Sequence, residues 1–173
     1  MSSSPDSRIE ISPGDITKLE VDAIVNAANS HLQPGGGVCG AIHRAAGRNL
    51  REACAKIGRC KTGDAVHTDG FDLEAKYVIH TVGPVWRGGK QNEEALLASC
   101  YRTSLKIAKQ IGARSVAFPA ISTGIYAFPL ARATGIAVAT VRNFLAEDDS
   151  IDKVVFSVFG AEAEAAYRKE LGR

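Results

Sequence analysis

Short apolar, β-branched runs alternate with longer amphipathic stretches along this chain. Runs at 9–11, 23–26, 64–68, 77–82, 116–119 and 154–159 predict six strands. Between them, apolar spacing of three and four predicts helices over 40–46, 49–57, 93–111, 129–146 and 161–171. The third is the clearest: Leu96, Leu97, Cys100, Leu105, Ile107 and Ala108 form a stripe, with Lys106, Lys109 and Gln110 off it. Asn92, followed by two glutamates, reads as its N-cap and Gly112 as its stop. Strand runs such as Ser115-Val-Ala-Phe-Pro119 are almost continuously apolar, as expected when helices cover both faces of a sheet. Strands separated by helices predict an α/β sandwich with a largely parallel core. Ligands settle at the carboxyl ends of the strands in such sheets.

Two loops leave predicted strands at that end. The first, reading NAANSHLQPGGGVCG from Asn26 to Gly40, follows Ala23-Ile24-Val25 and runs straight into a helical pattern. Glycines at 35, 36, 37 and 40 permit close approach of the main chain, and a helix N-terminus presents N–H groups and a positive dipole end to phosphate. The loop is not a Walker A motif, since no Gly-Lys-Ser/Thr follows, and GxGxxG is absent. Asn26 and Asn29 carry amides that donate and accept at once, which suits sugar hydroxyls. Asn26 is assigned to tying the loop to its own backbone, and Asn29 to the ligand. The second loop, Ser122, Thr123, Gly124, Ile125 and Tyr126, offers hydroxyls, consecutive amides and an aromatic lid. Two such loops suggest a ligand with more than one phosphate. Asp15, after the first strand, either caps a turn or accepts a hydrogen bond from a base amino group.

Composition narrows the partners. At 173 residues, with 45% apolar and 23% charged side chains, the chain fits one globular domain over 8–173, with 1–7 expected to be a disordered tail. The 21 basic and 19 acidic residues are interspersed and leave a net charge of +2, so no nucleic-acid partner is indicated. No apolar run approaches the roughly 20 residues that span a bilayer, and the start lacks a signal-peptide core. A cytoplasmic monomer is expected. Cys39, Cys54, Cys60 and Cys100 form no CxxC pair, and the four histidines complete no zinc spacing. Reduced thiols and no metal are therefore expected, with Cys54 and Cys100 as core residues.

Taken together, Gly14-Asp-Ile-Thr17, Asn26-Ala-Ala-Asn29, Gly35-Gly-Gly-Val-Cys-Gly-Ala-Ile-His43 and Ser122-Thr-Gly-Ile-Tyr126 resemble a macrodomain. Arg44-Ala-Ala-Gly47 and His80-Thr-Val-Gly-Pro-Val-Trp86 extend the resemblance to the MacroD-type branch, which includes bacterial O-acetyl-ADP-ribose deacetylases. It covers about residues 8–171. The resemblance implies a three-layer α/β/α sandwich with a mixed central sheet and a cleft for ADP-ribose. Asp15 would accept from the adenine amino group with Ile16 beside it, and Phe159 would pack on the base or serve as an ordinary core aromatic. Gly36, Gly37, Val38, Cys39 and Gly40 would wrap the diphosphate from one side, and residues 122–126 from the other. Asn29 would hold the distal ribose and Tyr126 close over it. The implied activity is hydrolysis of esters joining ADP-ribose to Asp or Glu side chains, and deacetylation of O-acetyl-ADP-ribose, with no metal or other cofactor. Partners would be ADP-ribosylated proteins or the acetylated metabolite.

One position departs from that pattern. MacroD-type enzymes usually carry Asp where this chain has Cys39, and that Asp is assigned to the attacking water. A carboxylate accepts a proton at neutral pH, whereas an ordinary thiol, with a pKa of about 8.5, is mostly protonated there. A helix N-terminus favours a thiolate and a bound diphosphate opposes it. Three readings compete: a loss that leaves a reader or a slow enzyme; a loss made good by a ligand phosphate oxygen that takes the water's proton; and a thiolate nucleophile. His43, one helical turn on, either acts on water or ribose or is held by its neighbours. Pro34 and Ala127 stand where the family commonly has glycine.

Overall fold

The computed structural model describes residues 4–173. Six strands run in the order β1 (Ile9–Pro13), β6 (Lys153–Val158), β5 (Ser115–Phe118), β2 (Ala23–Ala27), β4 (Tyr77–Thr81) and β3 (Ala65–Asp69) across a single sheet. Every neighbouring pair is parallel except β3 and β4. The mixed, largely parallel sandwich expected from the sequence is therefore the observed fold.

Alternation along the central strands builds the three layers. On β2, Ala23 and Val25 face one cluster while Ile24 faces the other; Val116 and Ala117 divide likewise, as do Val154 and Val155. The larger cluster lies under α3 (Glu93–Gln110), α4 (Leu130–Glu147) and α5 (Ala161–Leu171), through Leu97, Leu105, Val138, Val141 and Tyr167. The smaller lies under α1 (Gly37–Ala46) and α2 (Arg48–Ile57), through Ile42, Leu50 and Cys54. All four cysteines are free, and Cys54 and Cys100 are fully buried core residues as expected.

Three local differences have physical causes. First, α1 begins at Gly37, three residues before the predicted start, because Gly36 is extended and Gly37 takes φ +55°, which lets the chain turn into a helix inside the glycine run. Second, Asn92 occupies the N-cap position of α3 in a left-handed conformation and makes no capping bond with its side chain. Third, residues 1–3 of the expected tail lie outside the described residues, but Pro5–Arg8 forms a 3₁₀ turn. That turn is fastened by the Asp6 carboxylate, which accepts two bonds of 2.7 Å from the Arg142 guanidinium. Arg8 then donates to the carbonyls of Asp148, Ile151 and Leu145.

The Asp6 fork is half-exposed, so its worth is modest. Asp6→Ala is expected to lower unfolding free energy by about 1 kcal/mol in urea titrations, with little further loss on adding Arg142→Ala. A disordered 1–7 segment would give no change.

Candidate functional site

Four neighbouring parallel strands, β1, β6, β5 and β2, release their carboxyl ends side by side. In that order they deliver Asp15, Phe159, residues 122–126 and residues 29–39 to one edge of the sheet. Three strand intervals span roughly 14 Å. A cleft of about 660 Å³ runs along this edge. On its wall are Asp15, Ile16, Asn29, Gly36, Gly37, Val38, Cys39, Ser122, Thr123, Gly124, Ile125, Tyr126 and Phe159. Among the described residues, Asp15 is the single charged one lining it.

Two residues named from the sequence are not on that wall. Gly40 lies behind it: a Cβ there would sit 2.4 Å from the Gly35 carbonyl oxygen, so its role is to let the loop fold back on α1. His43 is buried among α1's neighbours, its pKa is lowered by burial and by Arg51, and its Nδ1 has no partner. It neither faces the cleft nor is fully satisfied by surrounding groups. Conversely, Pro119, Ala120, Ser157 and Ala163 line the cleft without having been assigned to it, while Gly14 and Ala28 had been noted only as members of their motifs. The first four lie at or near element ends, and no sequence signal separates them from ordinary structural residues.

The first loop and the start of α1 leave a run of backbone donors open. Among the described residues the N–H groups of Gly35, Gly36, Gly37, Val38 and Cys39 find no protein acceptor, and the first amide to engage is Gly40, which donates to the Gly36 carbonyl at 3.2 Å. Asn29 fixes the loop's shape: its Nδ2 donates to the Gln33 carbonyl at 2.8 Å and its Oδ1 accepts from the Gln33 N–H at 3.0 Å. The sequence reading gave backbone tethering to Asn26 and left Asn29 for a ligand. Asn29 instead both tethers the loop and lines the cleft. Asn26 is buried on β2 and bonds to side chains, with Nδ2 3.1 Å from His80 Nδ1 and 3.8 Å from Cys39 Sγ. Cys39 donates its own proton to the Gln33 carbonyl, 3.6 Å away.

The second loop shows the same preparation. The N–H groups of Gly124, Ile125 and Tyr126 donate to no protein acceptor among the described residues. Ser122 and Ala127 hold φ values of +67° and +59°, unfavourable for residues with a Cβ, so the turn must be imposed from outside. It is closed by the Phe128 N–H donating to the Ser122 carbonyl at 2.9 Å. Below, the buried Tyr101 hydroxyl donates to the Pro119 carbonyl and accepts from the Ile121 N–H, each at 3.4 Å. Beside it, the Trp86 N–H donates to the Tyr126 carbonyl at 2.8 Å, and the Trp86 ring packs against Phe128 at 4.7 Å. Ile125 and Phe159 stand 90% and 88% exposed on the cleft rim, so Phe159 is not the core aromatic that was its alternative reading. Asp15 Oδ1 accepts from the Thr17 hydroxyl and N–H at 2.7 and 2.9 Å, which holds its carboxyl below the usual range and keeps it an acceptor.

Strand-end loops with paired runs of open amides fit what the family comparison finds, for the Macro domain model matches residues 25–137. The chain belongs to the macro domain family. An O-acetyl-ADP-ribose deacetylase of Escherichia fergusonii is 53% identical over 169 residues, covering 95% of this chain and 96% of its own. A solved Oceanobacillus iheyensis macrodomain with ADP superposes at a TM-score of 0.89 with 41% identity, covering 95% of this chain and 90% of its own. A Trypanosoma brucei macrodomain in complex with ADP-ribose gives a TM-score of 0.88 and 43% identity over 94% of this chain and 68% of its own.

In this macro domain the Trp86 segment that supports Tyr126 is itself held by one carboxylate. Glu93, the first residue of α3, accepts from the N–H groups of Arg87, Gly89 and Gln91 at 2.9, 2.8 and 2.5 Å. Burial would raise its pKa, but those three donors outweigh burial and hold it at about 2. A carboxylate whose folded pKa lies below its unfolded value stabilises the fold above the unfolded value, and that stabilisation is lost as pH falls through the folded one. The melting temperature is therefore expected to fall steadily as pH drops from about 4.5 towards about 2. Glu93→Gln should lose part of that dependence while melting lower at neutral pH. Calorimetry across this range checks both.

Proposed function

We propose that this macro domain binds ADP-ribose and slowly hydrolyses its ester adducts, both Asp- or Glu-linked mono-ADP-ribose and O-acetyl-ADP-ribose. The observation that carries this reading is the pair of open amide runs, 35–39 and 124–126, on a cleft wall that holds no lysine or arginine among the described residues. A diphosphate there is met by backbone N–H groups and the positive end of α1 rather than by cations. The base lies at the β1–β6 end, with Phe159 against its face and Asp15 accepting from its amino group. The distal ribose lies at the β2 end, beside Asn29 and Cys39, with Tyr126 closing over it.

Hydrolysis needs a water whose proton goes somewhere as it attacks. Cys39 is poorly placed to take it, because its own proton already points at Gln33 and its sulfur already faces Asn26. For the same reason it is not an activated nucleophile: its neighbours within bonding distance are an amide nitrogen and a carbonyl oxygen, and neither is a base. His43 is off the cleft wall. The remaining acceptor is a phosphate oxygen of the ligand, held between the two loops. It takes the proton while water adds to the ester, and the products are ADP-ribose and a carboxylic acid. A diphosphate oxygen is a weaker base than an aspartate, so the rate falls on the order of 10²–10⁴ below that of an enzyme with a carboxylate at position 39. The engaged thiol also favours a second reading, a non-catalytic reader of ADP-ribose.

Incubation with an Asp/Glu-linked mono-ADP-ribosylated protein, and separately with O-acetyl-ADP-ribose, distinguishes the two. The parent protein is expected to release product slowly, Cys39→Asp faster, and Asn29→Ala more slowly than the parent. No release by the parent, with release by Cys39→Asp, would leave the reader. Calorimetric titration with ADP-ribose that detects no binding would remove both readings.

A further inference from the structure

Behind Cys39, three polar side chains lie in a row on the α1–α2 face of the sheet, an otherwise apolar layer in which they bond to one another while Asn26 Oδ1 finds no partner among the described residues. Asn26 on β2 pairs directly with His80 on β4, and Thr68 on β3 is diagonal to it, two residues beyond its partner Val66. Asn26 is 1% exposed, His80 0% and Thr68 7%. None of them lines the cleft.

Counting protons along this row fixes its direction. A threonine hydroxyl has one proton, and Thr68 Oγ1 donates it to the Asp69 carbonyl at 3.0 Å. Toward His80 Nε2, also 3.0 Å away, Thr68 is then left to accept, which assigns the imidazole proton to Nε2; the Cys54 sulfur, 3.8 Å from the same nitrogen, is a weak acceptor consistent with that assignment. Burial, with His43 and His67 nearby, pushes the His80 pKa down to about 3 and keeps the ring neutral, leaving Nδ1 bare. A bare Nδ1 needs a donor, and the donor is Asn26 Nδ2 at 3.1 Å. The same amide nitrogen is the group 3.8 Å from Cys39 Sγ.

We propose that Thr68 and His80 are positioning residues that lock the Asn26 amide with its N–H toward position 39. Without the lock the amide could turn over and present an oxygen there. A fixed donor at that position favours negative charge on whatever occupies it, whether a thiolate, a carboxylate or a water losing its proton. The consequence for ester hydrolysis rests on the proposed function, whereas the placement of the protons does not.

Two readouts independent of activity test the lock. In ¹⁵N-histidine-labelled protein, nitrogen shifts report the His80 tautomer, expected as Nε2–H in the parent and in Thr68→Ser. Iodoacetamide alkylation at neutral pH, mapped by mass spectrometry, reports the sulfur at position 39. All four thiols are buried, but of these only Cys39 lines the cleft, while the other three lie off it and are pushed up to about 11 by burial, so they react far less. Thr68→Val keeps the shape but removes the acceptor. Its His80 proton is expected to move to Nδ1, Asn26 to turn over, and Cys39 alkylation to slow about threefold to tenfold. Thr68→Ala serves as a second variant with the same expectation. An Nδ1–H tautomer in the parent would overturn the proposal. So would an unchanged tautomer or an unchanged alkylation rate in the variants that lack the hydroxyl, or a slowing of equal size in Thr68→Ser.

Discussion

Backbone N–H groups strongly favour having an acceptor, and most of this fold obeys that constraint through its sheet and helices. Eight amides in two short runs have none within the described protein, and the architecture around them holds them in that state. Left to itself, a glycine-rich segment collapses onto whatever carbonyls are nearby. Here Asn29 occupies both the N–H and the C=O of Gln33, so the loop closes on a side chain rather than on its own glycines. Gly40 then admits the Gly35 carbonyl at a distance no Cβ would allow, which fixes how the run 35–39 lies over α1.

The second run is held by a different arrangement. Ser122 and Ala127 sit in a region of backbone space that disfavours side chains, and each such position costs on the order of 1 kcal/mol or more. The opposing contributions come from Tyr101 beneath, Trp86 and Phe128 beside, and Glu93 behind them. These contacts descend from the core to the loop in sequence: buried hydroxyl to strand end, indole segment to Tyr126, carboxylate to indole segment. A loop built this way is set before a ligand arrives, so less of the binding energy is consumed in ordering it.

Much of this was legible in the sequence. Periodicity located all six strands and five helices, because each buries a face whose spacing the apolar residues must follow. What periodicity misses is anything set by backbone conformation or by strand order. The start of α1 was hidden in its glycines, since nothing about Gly36 and Gly37 announces a helix until their dihedral angles are known. Strand order explains why Asp15 and Phe159, 144 residues apart in number, meet at one end of the cleft: β1 inserts beside β6. Only the antiparallel β3 had an unread signal, for the seven residues 70–76 between it and β4 are too few for a parallel crossover. The two loops themselves were recognisable, but the division of labour between Asn26 and Asn29 was not. Two asparagines three residues apart look alike until one is seen on a strand facing His80 and the other on a loop facing Gln33.

The substitution at position 39 can be weighed in the same terms. A thiol there donates to the Gln33 carbonyl and receives an N–H from Asn26, so it is satisfied at both ends without any charge. An aspartate would keep the Asn26 donor and gain about 0.3–1 kcal/mol from the α1 N-terminus. It would also bring an oxygen toward the Gln33 carbonyl, where two acceptors repel and a weak S–H bond is lost. These contributions are similar in size and opposite in sign, so the fold has little preference between the two residues. The chemistry has a strong one, because only the carboxylate is a base at neutral pH. Cysteine at 39 is thus a residue that the loop accommodates as readily as an aspartate, and under the proposed function it is the chemistry rather than the fold that registers the difference, with proton transfer left to the ligand.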